Sequence, residues 1–412
     1  MWMSGYGART KPAEGKSSDL YAKALMLETA NGDRAVLVTL DLVGIDRDTS
    51  LALVKAIRAK HPIPRERIIL SVSHTHCGPV VGRNLRAMYF LDETQAKLVD
   101  EYTDRLPSLV MQAVDQAAKN LAPARIDAAK GYATFATNRR NNKEKDVPAA
   151  REAGKLSGPV DHDVPVLSVR DAEGKLQAVV FGYACHATTL DFYQWSGDWP
   201  GYAQAELEAS HPGAVALFWA GCGADQNPIP RRSLLLAQGY GKELANAVES
   251  VLKAPMKPVA ASLKGQYEEI ALPLSELPTR DKLAEEMRDT NKFVASRAKL
   301  LLEEWKTKGE LRAAYPYPVQ AWRLGDELTW LTLGGEVVVD YSLRFKKELG
   351  EVWTMGYAND VMAYIPSARV LKEGGYEGAT SMIYYGLPTT WSLRAEELIV
   401  DAAKRLVADA RR

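Results

Sequence analysis

Histidine is scarce in this sequence, with six among 412 residues, and cysteine is scarcer, with three. Three cysteines cannot form a disulfide framework. Neither sign of charge is in excess: 52 basic side chains stand against 52 acidic ones. That balance argues against a nucleic-acid or anionic-membrane partner held by bulk charge. No apolar run reaches the roughly 18 residues of a bilayer-crossing helix, so no membrane span is expected. The opening MWMSGYGARTKP has no basic head followed by an apolar stretch, so it does not read as a secretory signal. No patch in the sequence defines a partner subunit or an oligomeric state. What remains is 46% hydrophobic and 25% charged, the balance of a soluble globular chain long enough to bury a large core without covalent staples.

Helical and strand-like segments alternate along the chain. RDTSLALVKAIRAKHP predicts an amphipathic helix ended by His61-Pro62, and RIILSVSHTH predicts a strand. DETQAKLVDEYTDRLPSLVMQAVDQAAKN is helical, with Pro107 expected to kink or split it. VPVLSVRDAEGKLQAVVFGYACHATT reads as a hairpin around Asp-Ala-Glu-Gly. AVALFWAGCGAD is an apolar run ending in a Gly-rich loop. RLGDELTWLTLGGEVVVDYSLRFKKEL reads as hairpin, Gly-Gly turn and helix, VWTMGYAND as a strand, and SLRAEELIVDAAKRLVADARR as a closing helix. Leu277 to Leu311 predicts one long charged helix with a solvated face. The pattern implies an α/β fold: one large domain over 1–412, with mixed β-sheets flanked by helices.

Apolar strands repeatedly stop at loops that carry titratable residues, the place where open α/β folds bind ligands. In SVSHTHCGP, strand periodicity puts His74 and His76 on one side and turns Thr75 and Cys77 away. Imidazole pairs suit zinc, but two histidines need further ligands from elsewhere. On spacing alone, a metal pair and a pair of ordinary strand-end histidines both stand. His186 ends another apolar run. His61 and His211 precede prolines as helix-boundary residues, and His162 sits in an acidic turn. Glu336, after Gly334-Gly335, reads either as a ligand or as a charge at a helix N-terminus. Cys222, between glycines, reads as a small buried residue or as a thiol nucleophile.

The ordered set HTHCGP, NRRNN, CHATT with SGDWPGYA, GCGADQNP, GGEVVVDY and ANDVMAYIPSARVLKEGGYEG resembles the neutral (non-lysosomal) ceramidase family, zinc-dependent amidases, over roughly the first 390 residues. The resemblance implies zinc held by His74, His186, Glu336 and Tyr364. It implies catalytic roles for His76, Arg139 and Tyr376 in stabilising an oxyanion and passing a proton to the leaving group. Gln226 and Asn227, in the loop where the chain departs from the family, are expected to bind substrate. Asp198 reads either as a partner orienting a ligand histidine or as a helix-start aspartate. The implied reaction is hydrolysis of a linear amide, in a small-molecule N-acyl compound, by a metal-activated water. An esterase or lactonase on the same site, and a non-catalytic metal-containing binding protein, are the alternatives.

Three departures mark this as a divergent member. Asn227 stands where ceramidases carry a serine, which excludes a serine nucleophile there. The family's C-terminal immunoglobulin-like domain has no counterpart before Arg412. The chain begins partway into the family's first strand region. A secreted or periplasmic location is expected by family analogy alone. Metal hydrolases of the barrel type also use an HxH pair, but they need further His, Lys and Asp ligands on successive strands, which this chain, with six histidines of which two precede proline, fits poorly.

Overall fold

The computed structural model describes all residues, 1–412. Three main sheets carry it. A three-stranded sheet orders Ala22–Glu28, Arg34–Leu40 and Ile68–Val72, the last pair parallel. A five-stranded sheet orders Val215–Ala220, Leu176–Tyr183, Asp163–Arg170, Arg125–Tyr132 and Lys257–Pro258; only its first pair is parallel. A four-stranded sheet orders Leu263–Pro273, Ala314–Leu324, Leu328–Leu333 and Val352–Met355, and its last pair is parallel. The architecture is therefore mixed α/β, and no sheet closes into a barrel.

Parallel pairs set the direction of the functional loops. The strands Ile68–Val72, Val215–Ala220 and Val352–Met355 each end in a loop, and two isolated bridges tie those loops together. Ser71 pairs with Ala358, and Gly221 pairs with Met355. The C-terminal ends of strands from all three sheets thus meet in one region. Beneath them, a single hydrophobic cluster of 76 buried residues draws side chains from Met26 through Val407. The closing helix Ala395–Arg411 packs across Leu263–Pro273 and Ala314–Leu324 with its Ile399, Val400, Ala403 and Val407 face buried. No helix is long and apolar enough to cross a membrane.

Two expectations about helices are altered for identifiable reasons. Pro107 does not split its helix, which runs from Glu93 to Lys119. The apolar face of Val99, Leu106, Val110 and Val114 is buried on both sides of the proline, so packing outweighs the one lost backbone bond. The segment 277–311 is two helices, Arg280–Glu286 and Lys292–Lys308. Between them the Asp289 carboxylate accepts from the Asn291 amide at 2.7 Å, and Asn291 caps the second helix by accepting from Phe293 at 3.0 Å. Short polar side chains have outcompeted the helical ladder there.

Candidate metal centre

His74 and His76 meet, but not by strand periodicity. The strand stops at Val72, and His74 takes a left-handed backbone, φ 59°. That conformation costs about 1–3 kcal/mol in a residue with a Cβ and persists only where surrounding structure imposes it. Here it brings His74 Nε2 to 3.2 Å from His76 Nε2. His186 likewise lies three residues beyond its strand, Leu176–Tyr183. The three imidazoles are buried, and their ligand atoms lie within 4.8 Å of one another.

Glu336 and Tyr364 arrive together. They are direct partners in a two-stranded parallel ribbon, Glu336–Val337 beside Tyr364–Ile365, so their side chains leave the same face. Glu336 Oε2 stands 3.1 Å from His74 Nε2 and 3.1 Å from His186 Nε2. The Tyr364 hydroxyl stands 3.1 Å from His186 Nε2. The structure thus gathers His74, His186, Glu336 and Tyr364, with His76 against them.

The proton positions decide what this cluster can hold. His74 Nδ1 lies 2.6 Å from the Val43 carbonyl and His186 Nδ1 2.8 Å from the Gly223 carbonyl. A carbonyl only accepts, so both Nδ1 atoms donate, and in a neutral ring each Nε2 presents a lone pair. Burial, with the Arg139 charge added, pushes His186 down to about 4, so it is neutral. Burial would raise Glu336, and positive charge at the facing histidines, borne by protons or by a cation between the rings, holds it well below the usual carboxylate range. Its Oε2 is fully buried and makes no hydrogen bond. An uncompensated buried carboxylate costs several kcal/mol. Neutral-ring lone pairs and a carboxylate converging at 3.1 Å form a site suited to a cation. Ligands about 2.0–2.1 Å from a tetrahedral zinc are about 3.3 Å apart. The donor set therefore fits zinc.

The surroundings hold these groups in place. Glu336 Oε1 accepts from the Tyr385 hydroxyl. The Tyr357 ring lies 4.4 Å from His74, centroid to centroid. Arg139 donates to the Tyr364 hydroxyl at 3.1 Å, to Glu377 at 2.7 Å and to Asn227 Oδ1 at 3.2 Å. Tyr376 and Glu377 come from a π-helical turn, Tyr376–Thr380, a rare element common at functional sites. The Tyr376 ring is 5.3 Å from that of Tyr364, and Tyr376 is 40% exposed, so it stands at the mouth. Burial drives His76 well below 6.5, with His74 and His186 adding to the effect. His76 is therefore neutral, and its Nδ1 has no partner.

Several side chains sit elsewhere than expected. Gln226 does not reach the site: Nε2 donates to the Ala184 carbonyl and Oε1 accepts from the Asp161 amide, so both ends brace backbone. The strand Gln226–Pro228 alternates sides, which leaves Asn227 facing Arg139. Asp198 touches no ligand histidine. It accepts from the amides of Leu190 and Trp199 at the start of the helix Asp198–Ser210. Cys222 is fully buried, and burial pushes its thiol up, so the thiol nucleophile is not supported. His61 faces Asp115, His211 faces Glu249, and His162 faces Tyr132 and the Ala136 carbonyl, all away from the centre.

Sequence reasoning missed Tyr385, Tyr357, Glu377 and the first nine residues. Arg9 donates to the His76 carbonyl at 2.7 Å, and the Tyr6 ring lies 4.7 Å from His76. Only the MWMSGYGART composition was legible there, and it carries no signal for packing on a distant histidine.

Two buried histidines, a carboxylate and a tyrosine hydroxyl thus meet at the strand ends of a mixed α/β fold, an arrangement that could hold a metal ion. Comparison with known proteins gives the family. The profile described as neutral/alkaline non-lysosomal ceramidase, N-terminal, matches residues 1–229, and the chain belongs to that family. Neutral ceramidase B of Dictyostelium discoideum is 26% identical over 223 residues, 51% of this chain and 31% of that protein. The neutral ceramidase of Pseudomonas aeruginosa is 26% identical over 233 residues, 52% of this chain and 33% of that protein. The chain thus aligns with about a third of the length of these relatives. The crystal structure of the Pseudomonas aeruginosa neutral ceramidase superposes with a TM-score of 0.72 at 21% identity, over 99% of this chain and 72% of that one. A ceramidase structure described as complexed with C2 gives 0.71 at 19% identity, with the same coverage. The matched residues 1–229 include His74, His76, Arg139, His186 and Asn227, whereas Glu336, Tyr364 and Tyr376 lie beyond them.

Proposed function

We propose that this protein is a zinc-dependent hydrolase that cleaves the amide bond of an N-acyl compound with an activated water. The observation that carries the reading is Glu336 Oε2, buried without a hydrogen bond between two imidazole lone pairs. Family membership supports it. His74, His186, Glu336 and Tyr364 would hold the metal, and zinc bound there supplies a Lewis acid that polarises a carbonyl and acidifies water to near neutral pH.

The chain's own groups do the rest. Arg139, a cation held by ionised Glu377, stands beside the Tyr364 oxygen, where it can stabilise negative charge developing on the carbonyl oxygen. His76 stays neutral at pH 7 and turns Nε2 to the centre, 3.2 Å from His74 Nε2, so that nitrogen can carry a proton to the leaving group. Asn227 spends its oxygen on Arg139, and its amide nitrogen has no partner within the chain, leaving it for substrate. Tyr376 at the mouth offers a hydroxyl to the same end.

A panel of N-acyl amides and matched esters, assayed with the wild type and with His74→Ala and Tyr364→Phe, tests this reading. Amide turnover that falls at least about 100-fold in both variants is expected. A protein that binds these compounds and turns none over, or variants as active as the wild type, would refute it.

A further inference from the structure

A cavity of about 540 Å³ opens beside the metal centre, with Arg139, Asn227 and Tyr376 in its wall. That is the size of a small-molecule site. The remaining lining is mostly charged, and its only aliphatic side chain is Ile229. A tally of hydrogen-bonding capacity shows what is left for a ligand. Glu377 accepts from Arg139 at 2.7 Å and from Arg140 at 2.6 Å. Glu373 accepts from Arg140 at 2.9 Å and from Arg369 at 2.8 Å. Glu144 accepts from Arg231 at 2.7 Å and also from Arg232. Every carboxylate in the lining is thus engaged by two arginines. The unspent groups are donors: Arg231 binds Glu144 through Nε and Nη2 only, and no carboxylate pairs with the Lys143 ammonium.

A second surface leaves the same site. The Tyr376 ring is followed by Tyr384 at 6.2 Å, then Phe293 at 5.1 Å, then Phe90 at 5.8 Å, and Phe90 is an exposed aromatic. None of the last three lines the cavity. Two unlike surfaces therefore flank one reacting centre, as an amide with two unlike halves requires.

We infer that the substrate is an amide with a carboxylate on the amine side, an N-acyl amino acid, whose carboxylate binds Lys143 and Arg231 in the cavity while the acyl group lies along the aromatic row. This rests on the hydrolase reading above. The reaction balances as hydrolysis: the C–N bond breaks, a C–O bond forms from water, and the nitrogen leaves with a proton as the free amino acid. A charge-assisted contact of this kind discriminates by about tenfold or more.

The test compares N-hexanoylglycine with its uncharged counterpart N-propylhexanamide and with a short-chain ceramide, on the zinc-loaded enzyme. The glycine conjugate is expected to exceed N-propylhexanamide in kcat/KM by about tenfold or more, chiefly through KM. Lys143→Glu, on an exposed and unpaired side chain, and Arg231→Gln should each shrink that ratio by raising KM for the glycine conjugate. Equal or better cleavage of N-propylhexanamide or ceramide, or an unchanged ratio in both variants, overturns the inference and leaves the hydrolase reading standing. Cleavage of no amide at all overturns both.

Discussion

Glu336 is divided between two kinds of partner. One carboxylate oxygen takes the Tyr385 hydroxyl, and the other faces two imidazole lone pairs. Tyr385 therefore orients the carboxylate without touching the metal position. Tyr385→Phe should weaken zinc affinity and activity together by about 10–100-fold while leaving the fold intact. Zinc titration beside a kinetic assay reads both, and unchanged affinity would show the contact to be incidental. At this scale, legibility in the sequence was uneven. His186 and the His74–His76 pair stood out as strand-end histidines, whereas the ligand set of His74, His186, Glu336 and Tyr364 came from the family resemblance rather than from spacing. Gln226 was misplaced because strand alternation gives one of two neighbours to the site, and nothing in ADQNP says which. Tyr385 and Tyr6 carried no local signature, since their importance comes from chain crossings that no spacing records.

Among the elements, two close backbone approaches shape the centre. Gly223 supplies the carbonyl that fixes the His186 tautomer, and a Cβ there would stand 2.4 Å from the Cys185 amide nitrogen. Gly223→Ala should therefore displace that loop, lower stability by more than about 2 kcal/mol and loosen the metal. Gly5 works from the other side. Its φ is +95°, and a Cβ would meet His76 Nδ1 at 2.4 Å. Gly5→Ala should lift the N-terminal segment off His76 and reduce turnover while zinc content holds. Denaturation midpoints, metal content and rates on the pair separate the two. Loss of metal in the Gly5 variant, or none in the Gly223 variant, would contradict this division. The strands and most helices were readable from periodicity, including the hairpin Asp163–Arg170 with Leu176–Tyr183. The split near Asn291 and the intact helix at Pro107 were not, because capping and tertiary packing reversed the local expectation.

For the molecule as a whole, the mixed α/β class was legible, whereas the way three sheets meet was not. Two single bridges, Ser71 with Ala358 and Gly221 with Met355, join strand ends that are far apart in sequence. The core below carries a pH liability. Burial pushes the Asp360 carboxyl up to about 8, against the hydrogen bond from Tyr315 at 2.7 Å. Unfolded, the same group ionises near 3.9. The folded state therefore binds the extra proton between those values, and stability is lost as pH rises through that window. Asp360→Asn should gain thermal stability relative to the wild type on going from about pH 5 to about pH 9. A difference that does not change with pH would show that Asp360 is ionised in the fold. The central claim, however, concerns the metal. Zinc per chain in the active protein, measured by elemental analysis before and after chelation with activity followed in parallel, tests it most directly. The account predicts about one zinc per chain, with activity lost on its removal and restored on its return. Full activity at less than about a tenth of an equivalent would contradict it.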